Sequence, residues 1–451
     1  MPSPPDDRAA PGGPGEEGSI SIEEIEDAVV DGDSPVPVRS GTARAALSHR
    51  TFRIVFLGAF ASNIGTWMQN VVLGAYAYDL THSSTFVGVI IFAQLGPTLV
   101  LPMFGGLLAD KVDRKRFLIT LAIEQLVFSL GVALVVLSPH PSHVLLVLMV
   151  LGVGCGSAMF GPAYAAVLPG LVGRADLPGA ISLNSAQMNA SRVIGPVIGG
   201  LLYSLVGPAW IFAGNAVTYL FVVGALLLVT LPGVPRGPAH ASRWRELTAG
   251  ITTARRDRVV GRCIVTVFVF SLLALAFIGQ MPVVAAHNLG INLSASPDYG
   301  ILYACFGFGA LTGAISIGTV FARTSKPLLV RVCLVGYSLT LAGFALERST
   351  VPAYVNVAVV GAFYFAFITA LNTTLQARLH ENVRGRVMAL WMMGFGGTVG
   401  LGNLIVGPVV AAVGITTVLL FGAGVALFLA WYADVRSPPE LQGVLRVELA
   451  Q

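Results

Sequence analysis

The chain has 451 residues, of which 11% are charged and 55% hydrophobic. A soluble domain carries roughly 25% charged residues, so composition argues against a water-soluble enzyme, a nucleic-acid binder and a secreted disulfide scaffold. The net charge of +4 hides a segregation: ten of the 23 acids lie before Gly41, and the rest of the chain is basic.

Residues 1–49 are rich in Pro, Gly, Asp and Glu. They bury too little apolar surface to offset chain entropy, so a disordered acidic tail is expected there. Ile20 to Val30 reads either as a short acidic helix or as solvated chain. No basic-then-apolar secretory pattern precedes the first apolar stretch, which begins near Phe52.

Apolar runs follow, each long enough to cross ~30 Å of hydrocarbon. They lie near 52–79, 84–109, 117–138, 143–169, 181–206 and 209–232, then near 262–286, 299–322, 327–347, 352–376, 385–409 and 413–434. Twelve spans put both termini on one side. The 52 glycines suit close helix approach in lipid. Pro97 and Pro282 are plausible bends. Cys155, Cys263, Cys305 and Cys333 lie in apolar stretches without metal-ligand spacing and read as small hydrophobes.

Lys and Arg fix the orientation. Arg39, Arg44, Arg50 and Arg53 precede span 1. Lys111, Arg114, Lys115 and Arg116 separate spans 2 and 3. Arg174 separates spans 4 and 5, and seven arginines from Arg236 to Arg262 fill the middle loop. Arg323, Lys326 and Arg331 follow span 8, Arg378, Arg384 and Arg386 follow span 10, and Arg436 and Arg446 follow span 12. The opposite loops hold only Arg348. Both termini are therefore expected to be cytoplasmic.

The halves resemble each other. Val206-Gly207 and Val413-Gly414 are 207 positions apart, and at that offset Gly195 falls on Gly402 and Gly200 on Gly407. A six-span unit used twice is the expectation. This gives a tail at 1–49, bundles at 50–234 and 262–436, a linker at 235–261 and a short cytoplasmic tail at 437–451. Trp244, Leu247 and Ile251 suit a linker helix lying on the membrane surface.

Between spans 2 and 3 runs Gly106-Leu107-Leu108-Ala109-Asp110-Lys111-Val112-Asp113-Arg114-Lys115-Arg116. Gly106, Asp110, Arg114 and Lys115 suit a conformational latch made of a breakable charge pair. A loop whose positive charges only set topology is the alternative. The segment resembles the signature loop of the major facilitator superfamily, with Asp113 where that pattern has glycine. A narrower resemblance spans Phe52 to about Ala433. It is carried by Ser62 to Gln69 with Tyr78 to Thr81, by Gly161 to Pro169 with Ile181 to Ser185, and by Arg384 to Met388. These are similar to the enterobactin-exporter-like branch, also described as transmembrane secretion effectors. The resemblance implies an all-α protein of twelve transmembrane helices in two pseudo-symmetric six-helix bundles. It also implies export of a siderophore, antibiotic or drug-like molecule across the bacterial inner membrane, with alternating access and proton antiport.

Gly195-Pro196-Val197-Ile198-Gly199-Gly200 lies in mid-span 5. Proline removes a helix hydrogen bond and the glycines admit a neighbouring helix. Ordinary packing is one reading. The segment also resembles the antiporter motif of superfamily exporters, with Ser191 in place of the upstream glycine. Arg192 lies in the same span, where a charge usually faces a cavity or a partner. Desolvation disfavours a carboxylate's charge, so Glu124 in span 3 is the first proton-coupling candidate, with Arg192 and the more peripheral Asp79 beside it. Pairing of Glu124 with loop arginines is the alternative. Span 4 lacks the arginine that many drug–proton antiporters of the superfamily carry.

Asn63, Trp67 and Asn70 share one face of span 1. With Gln94, Asn184, Gln187, Asn215, Gln280, Asn372 and Asn403 they are the cavity candidates, although interhelical hydrogen bonding is the alternative for each. There is no phosphate-binding loop and no metal spacing. No cofactor or metal is expected, and the chain does not read as an enzyme. Its expected partners are a small-molecule substrate, protons and the lipid bilayer, with no nucleic acid, and a monomer is expected. An importer of a nutrient or siderophore with the same fold, and more remotely a non-transporting sensor or scaffold, are the competing readings.

Overall fold

The computed structural model describes residues 40–102, 104–105, 108, 112–230, 251–252 and 254–435. All regular elements among them are helical. A short helix α1 (Ala43–Ser48) precedes α2 (Arg50–Thr81) and α3 (Ser84–Leu95). Next come α4 (Arg114–Leu137), α5 (His143–Ala165), α6 (Leu168–Val206) and α7 (Pro208–Leu228). The second half holds α8 (Arg258–Val269), α9 (Met281–His287), α10 (Asp298–Gly318), α11 (Lys326–Leu346), α12 (Thr350–Gln376), α13 (Glu381–Met392), α14 (Thr398–Val413) and α15 (Ile415–Tyr432).

Among the described residues, nine helices are long and apolar enough to cross a membrane. They fall on expected spans 3, 4 and 6 to 12. Spans 1 and 5 are α2 and α6, of 32 and 39 residues, which are long enough but more polar. Span 2 is helical over Ser84–Leu99, ending in a 3-10 turn that contains Pro97. Large apolar side chains cover the outer faces. Trp210 is 68% and Leu228 79% exposed, as befits surfaces that lipid would cover.

Like span 2, spans 7 and 11 are not continuous helices among the described residues. After α8 a π-turn (Phe270–Ala274) and a 3-10 turn (Ala276–Ile278) intervene before α9, whose first turn holds Pro282. A second π-turn (Met393–Gly397) separates α13 from α14. Periodicity alone misses such breaks, because inserting one residue in a turn leaves the segment just as apolar.

Polar residues set the helix starts. Ser83, Asp113 and Ser142 accept from the Phe86, Arg116 and Leu145 N–H groups at 3.3, 2.8 and 3.4 Å. Asp113, where the superfamily pattern has glycine, is thus the N-cap of α4.

The repeat reappears in the backbone. Gly207 (φ 79°, ψ 167°) alone joins α6 to α7, and Gly414 (φ 84°, ψ 153°) alone joins α14 to α15. Both need the positive φ that only glycine adopts cheaply.

Helix α2 packs on α6 and α7, and α4 on α5 and α7. In the second half α12 packs on α10 and α11, and α11 on α15. Two seams join the halves, α6 to α10 and α3 to α14. Both are backbone-close. A Cβ at Gly200 would overlap the Gly300 Cα, and one at Gly407 would lie 2.7 Å from the Ser84 carbonyl oxygen. The Ser84 hydroxyl donates to the Gly407 carbonyl at 2.9 Å.

Residues 41–49, expected within the tail, are ordered against α6. Thr42 caps α1, and Ala45 and Ala46 are buried. Asp176 accepts from the Gly41 N–H at 2.9 Å and meets His49 Nε2 at 2.8 Å. A Cβ at Gly179 would overlap the Thr42 carbonyl oxygen. Helix α6 itself starts before expected span 5 and turns at Gly173 (φ 75°). Leu168, Leu171 and Val172 join Ala46 and Phe52 in a small core at this end, which explains why the segment is not an open loop.

The His49 contact and the Gly41 N–H hold the Asp176 carboxyl below its ordinary value. A carboxyl lowered in the folded state stabilises above its unfolded pKa of ~3.9, and that contribution vanishes as pH falls through the lowered value. Hydrogen exchange of the 41–48 amides, corrected for intrinsic rate, should therefore be slow near neutrality and quicken below pH ~4. Asp176→Ala should exchange fast throughout. Equal protection in that variant would refute the clamp.

Candidate functional site

In one group, polar side chains from α2, α4 and α7 are committed to one another. Gln69 Oε1 accepts from Ser129 Oγ at 2.6 Å and from Asn215 Nδ2 at 2.8 Å. Ser129 also donates to the Phe212 carbonyl at 3.1 Å. Asn215 reaches the Tyr219 hydroxyl, which meets Thr66 Oγ1 at 3.2 Å. Ser129 and Asn215 are fully buried. Asn215, a cavity candidate by sequence, therefore sits inside a helix–helix junction.

Arg192 stands apart. Its guanidinium carbon lies 5.2 Å from the Trp67 ring centroid and 5.8 Å from those of Phe365 and Phe395. These rings come from α2, α12 and the π-turn before α14, so both halves meet at this cation. Arg192 and all three rings are only partly buried. The Nε is buried without a hydrogen-bond partner. Among the described residues Arg192 is in no ion pair with a carboxylate. An uncompensated charge in low dielectric costs several kcal/mol. Each ring offsets about 0.5–2 kcal/mol, the larger figure applying where the contact is desolvated.

The glycine motif brings this cation to the seam. Cβ atoms at Gly195 and Gly199 would crowd Trp67, Ile64 and Met68 of α2, and Gly200 meets Gly300 of α10. Pro196 has no N–H for the carbonyl one turn back, which is that of Arg192. Ser191, also in this turn, is fully buried with its hydroxyl unpartnered.

Glu124 lies elsewhere, between α4 and α5. A Cβ at Gly156 would overlap its Oε2, so the bare glycine backbone makes room for the carboxylate. That oxygen is buried without a hydrogen-bond partner. Glu124 and Arg192 form no ion pair.

Of the latch residues, Gly106 and Asp110 lie outside the described residues. Arg114 donates to the Ala166 carbonyl at 2.8 Å, and Lys115 to the Val229 carbonyl at 2.8 Å. These carbonyls end α5 and α7, where cations complement the helix dipole. The second half repeats the device, with Arg331 on the Ala430 carbonyl at 3.1 Å. Trp244 and Leu247 of the linker also lie outside the described residues, and Ile251 is exposed.

The remaining candidates fall into separate groups. Gln94 donates to Asn70, Gln187 to Asn184 at 2.9 Å, and Gln376 to Asn372 at 2.9 Å. Asn63 is partly buried on the same face of α2 as Trp67. Gln280 and Asn403 are fully buried, each with a carbonyl oxygen lacking a partner. They adjoin the break before α9, where a Cβ at Gly279 would overlap Asn403. Asp79 accepts from the Tyr203 hydroxyl at 2.7 Å, tying the far ends of α2 and α6. Sequence reasoning missed Phe365, Phe395, Gly156, Gln69 and Ser129. Aromatics and glycines in apolar runs look like packing, so only Arg192 and Glu124 pointed to their surroundings.

Three substitutions test this arrangement. Asn215→Leu removes one of the two donors to Gln69 Oε1 and should cost about 1 kcal/mol or more in thermal unfolding. Adding Gln69→Leu should cost less than the sum of the single changes, whereas strict additivity would mean the network is not coupled. Gly156→Ala should push the Glu124 carboxylate outward. Its labelling by a hydrophobic carbodiimide, read by mass spectrometry, should rise. An unchanged rate would show that Gly156 does not position it.

Comparison with known proteins agrees with this architecture. The family model described as transmembrane secretion effector matches residues 41–442. The enterobactin exporter EntS of Shigella boydii serotype 4 (strain Sb227) is 29% identical over 346 residues, covering 76% of this chain and 81% of the relative. Its counterpart in Escherichia coli O1:K1 / APEC is 28% identical over 345 residues, with coverages of 76% and 81%. A crystal structure of a mutant nucleoside transporter NupG superposes with TM-score 0.70 at 15% identity, covering 86% of this chain and all of that one. An inward-facing bacterial homologue of the human lysosomal transporter Spinster gives TM-score 0.66 at 15% identity, with coverages of 86% and 99%. The fold is that of the major facilitator superfamily, and the chain belongs to its transmembrane secretion effector family of membrane transporters.

Proposed function

We propose that this transporter exports a small, partly apolar molecule of siderophore, antibiotic or drug-like kind across a bacterial inner membrane, with protons moving inward. Residues 50–234 and 262–436 act as two bodies that rock about a central site, with 235–261 as their linker. Both termini face the cytoplasm and one chain suffices. Relatives described as enterobactin exporters support the outward direction.

The observation that carries the reading is the character of the seams. They join the halves through small residues and backbone, at Gly200 on Gly300 and Ser84 on Gly407. Contacts of this kind separate without unlocking interdigitated side chains. Arg192, with rings from both halves around it, lies where alternating access needs its site. Glu124 supplies the exchangeable proton, because it is a carboxylate held inside the first half with no ion-pair partner among the described residues. Arg114 and Lys115 brace the inner face, with Gly106 and Asp110 completing the latch.

Reconstituted protein tests both parts of the reading. Everted vesicles should accumulate enterobactin when a pH gradient is imposed. Glu124→Gln should abolish gradient-driven accumulation while keeping gradient-independent counterflow. If the variant responds to the gradient as the native protein does, Glu124 is not the coupling residue. Accumulation only in right-side-out vesicles would establish import.

A further inference from the structure

We propose that Arg192 is the recognition point for a negatively charged aromatic group on the transported molecule. The inference rests on the transport reading and narrows its substrate class.

A guanidinium presents five N–H donors and cannot shed its charge. Among the described residues no hydrogen bond from Arg192 and no carboxylate partner is found. Arg114, Arg262 and Arg331, by contrast, reach backbone carbonyls near helix ends, and Arg384 reaches the Gln376 side chain. Arg192 alone is placed in mid-helix beside Pro196 at the meeting of the halves. Retaining such a charge without a fixed counter-ion leaves its donors for an anion that comes and goes. Asp79 is engaged with Tyr203, and Glu124 rests against Gly156, so neither serves as that anion.

The surroundings select the rest of the ligand. Trp67, Phe365 and Phe395 hold the cation by their π-faces and remain partly exposed. Such rings favour a planar aromatic body next to the anionic group, through stacking and area burial. A simple inorganic anion would satisfy the guanidinium but leave the rings unused. Two rings belong to the second half and one to the first, so a ligand seated here touches both halves at once. Ligand occupancy and the relative position of the halves are thereby linked.

Equilibrium dialysis on the full-length purified transporter tests this with naphthoate, its uncharged analogue naphthamide, and sulfate as competitor. Naphthoate should bind roughly tenfold or more tightly than naphthamide, as expected for a hydrogen bond to a charged group. Arg192→Gln should erase that preference and Arg192→Lys should retain part of it. Trp67→Leu should weaken both ligands alike. Each variant is compared only where its elution is monodisperse and its helicity native. If Arg192→Gln does not yield folded protein, the lysine and leucine variants decide. Equal affinity for naphthoate and naphthamide overturns the proposal. Displacement of naphthoate by equimolar sulfate overturns its aromatic half. The readout needs no direction of transport, so a finding of import would leave it standing, and loss of the charge preference would leave export standing.

Discussion

In hydrocarbon there is no water to complete a hydrogen bond, so the protein must satisfy its own polar groups. That constraint orders the whole molecule. At the basic end, cationic side chains reach carbonyls that helix geometry leaves open, as Lys115 does at the end of α7 and Arg331 at the end of α15. Inside the first half, Gln69, Ser129 and Asn215 close a network that ties three helices at one point. Helices that carry polar groups are thereby fixed to particular partners, in particular register. The exceptions then stand out. Among the described residues, Arg192 and Glu124 are charges within the helices that no salt bridge neutralises.

The low charge content was enough to read the chain as a membrane protein, and the apolar runs anticipated the nine long apolar helices found among the described residues. Both follow from transfer energies, which depend on composition and not on detail. The repeat was visible at Gly207 and Gly414 because each occupies a backbone conformation that other residues strain to adopt. What the sequence hid were features that depend on two distant segments meeting. Phe395 sits in a glycine-rich run that reads as packing surface, and only the π-turn and the approach of α6 bring it to Arg192. Asn215 and Asn63 look alike as polar residues in apolar helices. One is locked in a junction and the other is only partly buried, and no local signal separates them. The tail boundary erred by a few residues for a similar reason. The segment 41–49 is ordered by Asp176, more than a hundred residues away.

Close approach and polar satisfaction answer different needs along one helix. On α6 the turn from Gly195 to Gly200 removes side chains so that α2 and α10 can press against backbone. The turn just before it carries the arginine. Pro196 connects the two, since the hydrogen bond it cannot make is the one that Arg192's carbonyl would accept. A helix weakened at that step can bend there without breaking a bond elsewhere. The same stretch therefore supplies a tight seam, a local weakness and a charge, within less than three turns.

The separation of Glu124 from Arg192 is the remaining constraint on mechanism. Charges that paired directly would neutralise each other and bind neither proton nor anion. Placed apart, with Glu124 enclosed between α4 and α5 and Arg192 at the seam, they communicate only through the helices that hold them. Gly156 lets α5 ride against Glu124, while Trp67 of α2 lies against Arg192. Helix α7 packs on both α4 and α2, and Asn215 pins it to both through Gln69 and Ser129. A change in the charge of Glu124 that shifts α4 must therefore be felt by α7 and then by α2, the helix carrying the ring nearest Arg192. The buried network ties α4, α7 and α2 together, so the protonation step proposed for Glu124 would reach the helix that carries Trp67 through it.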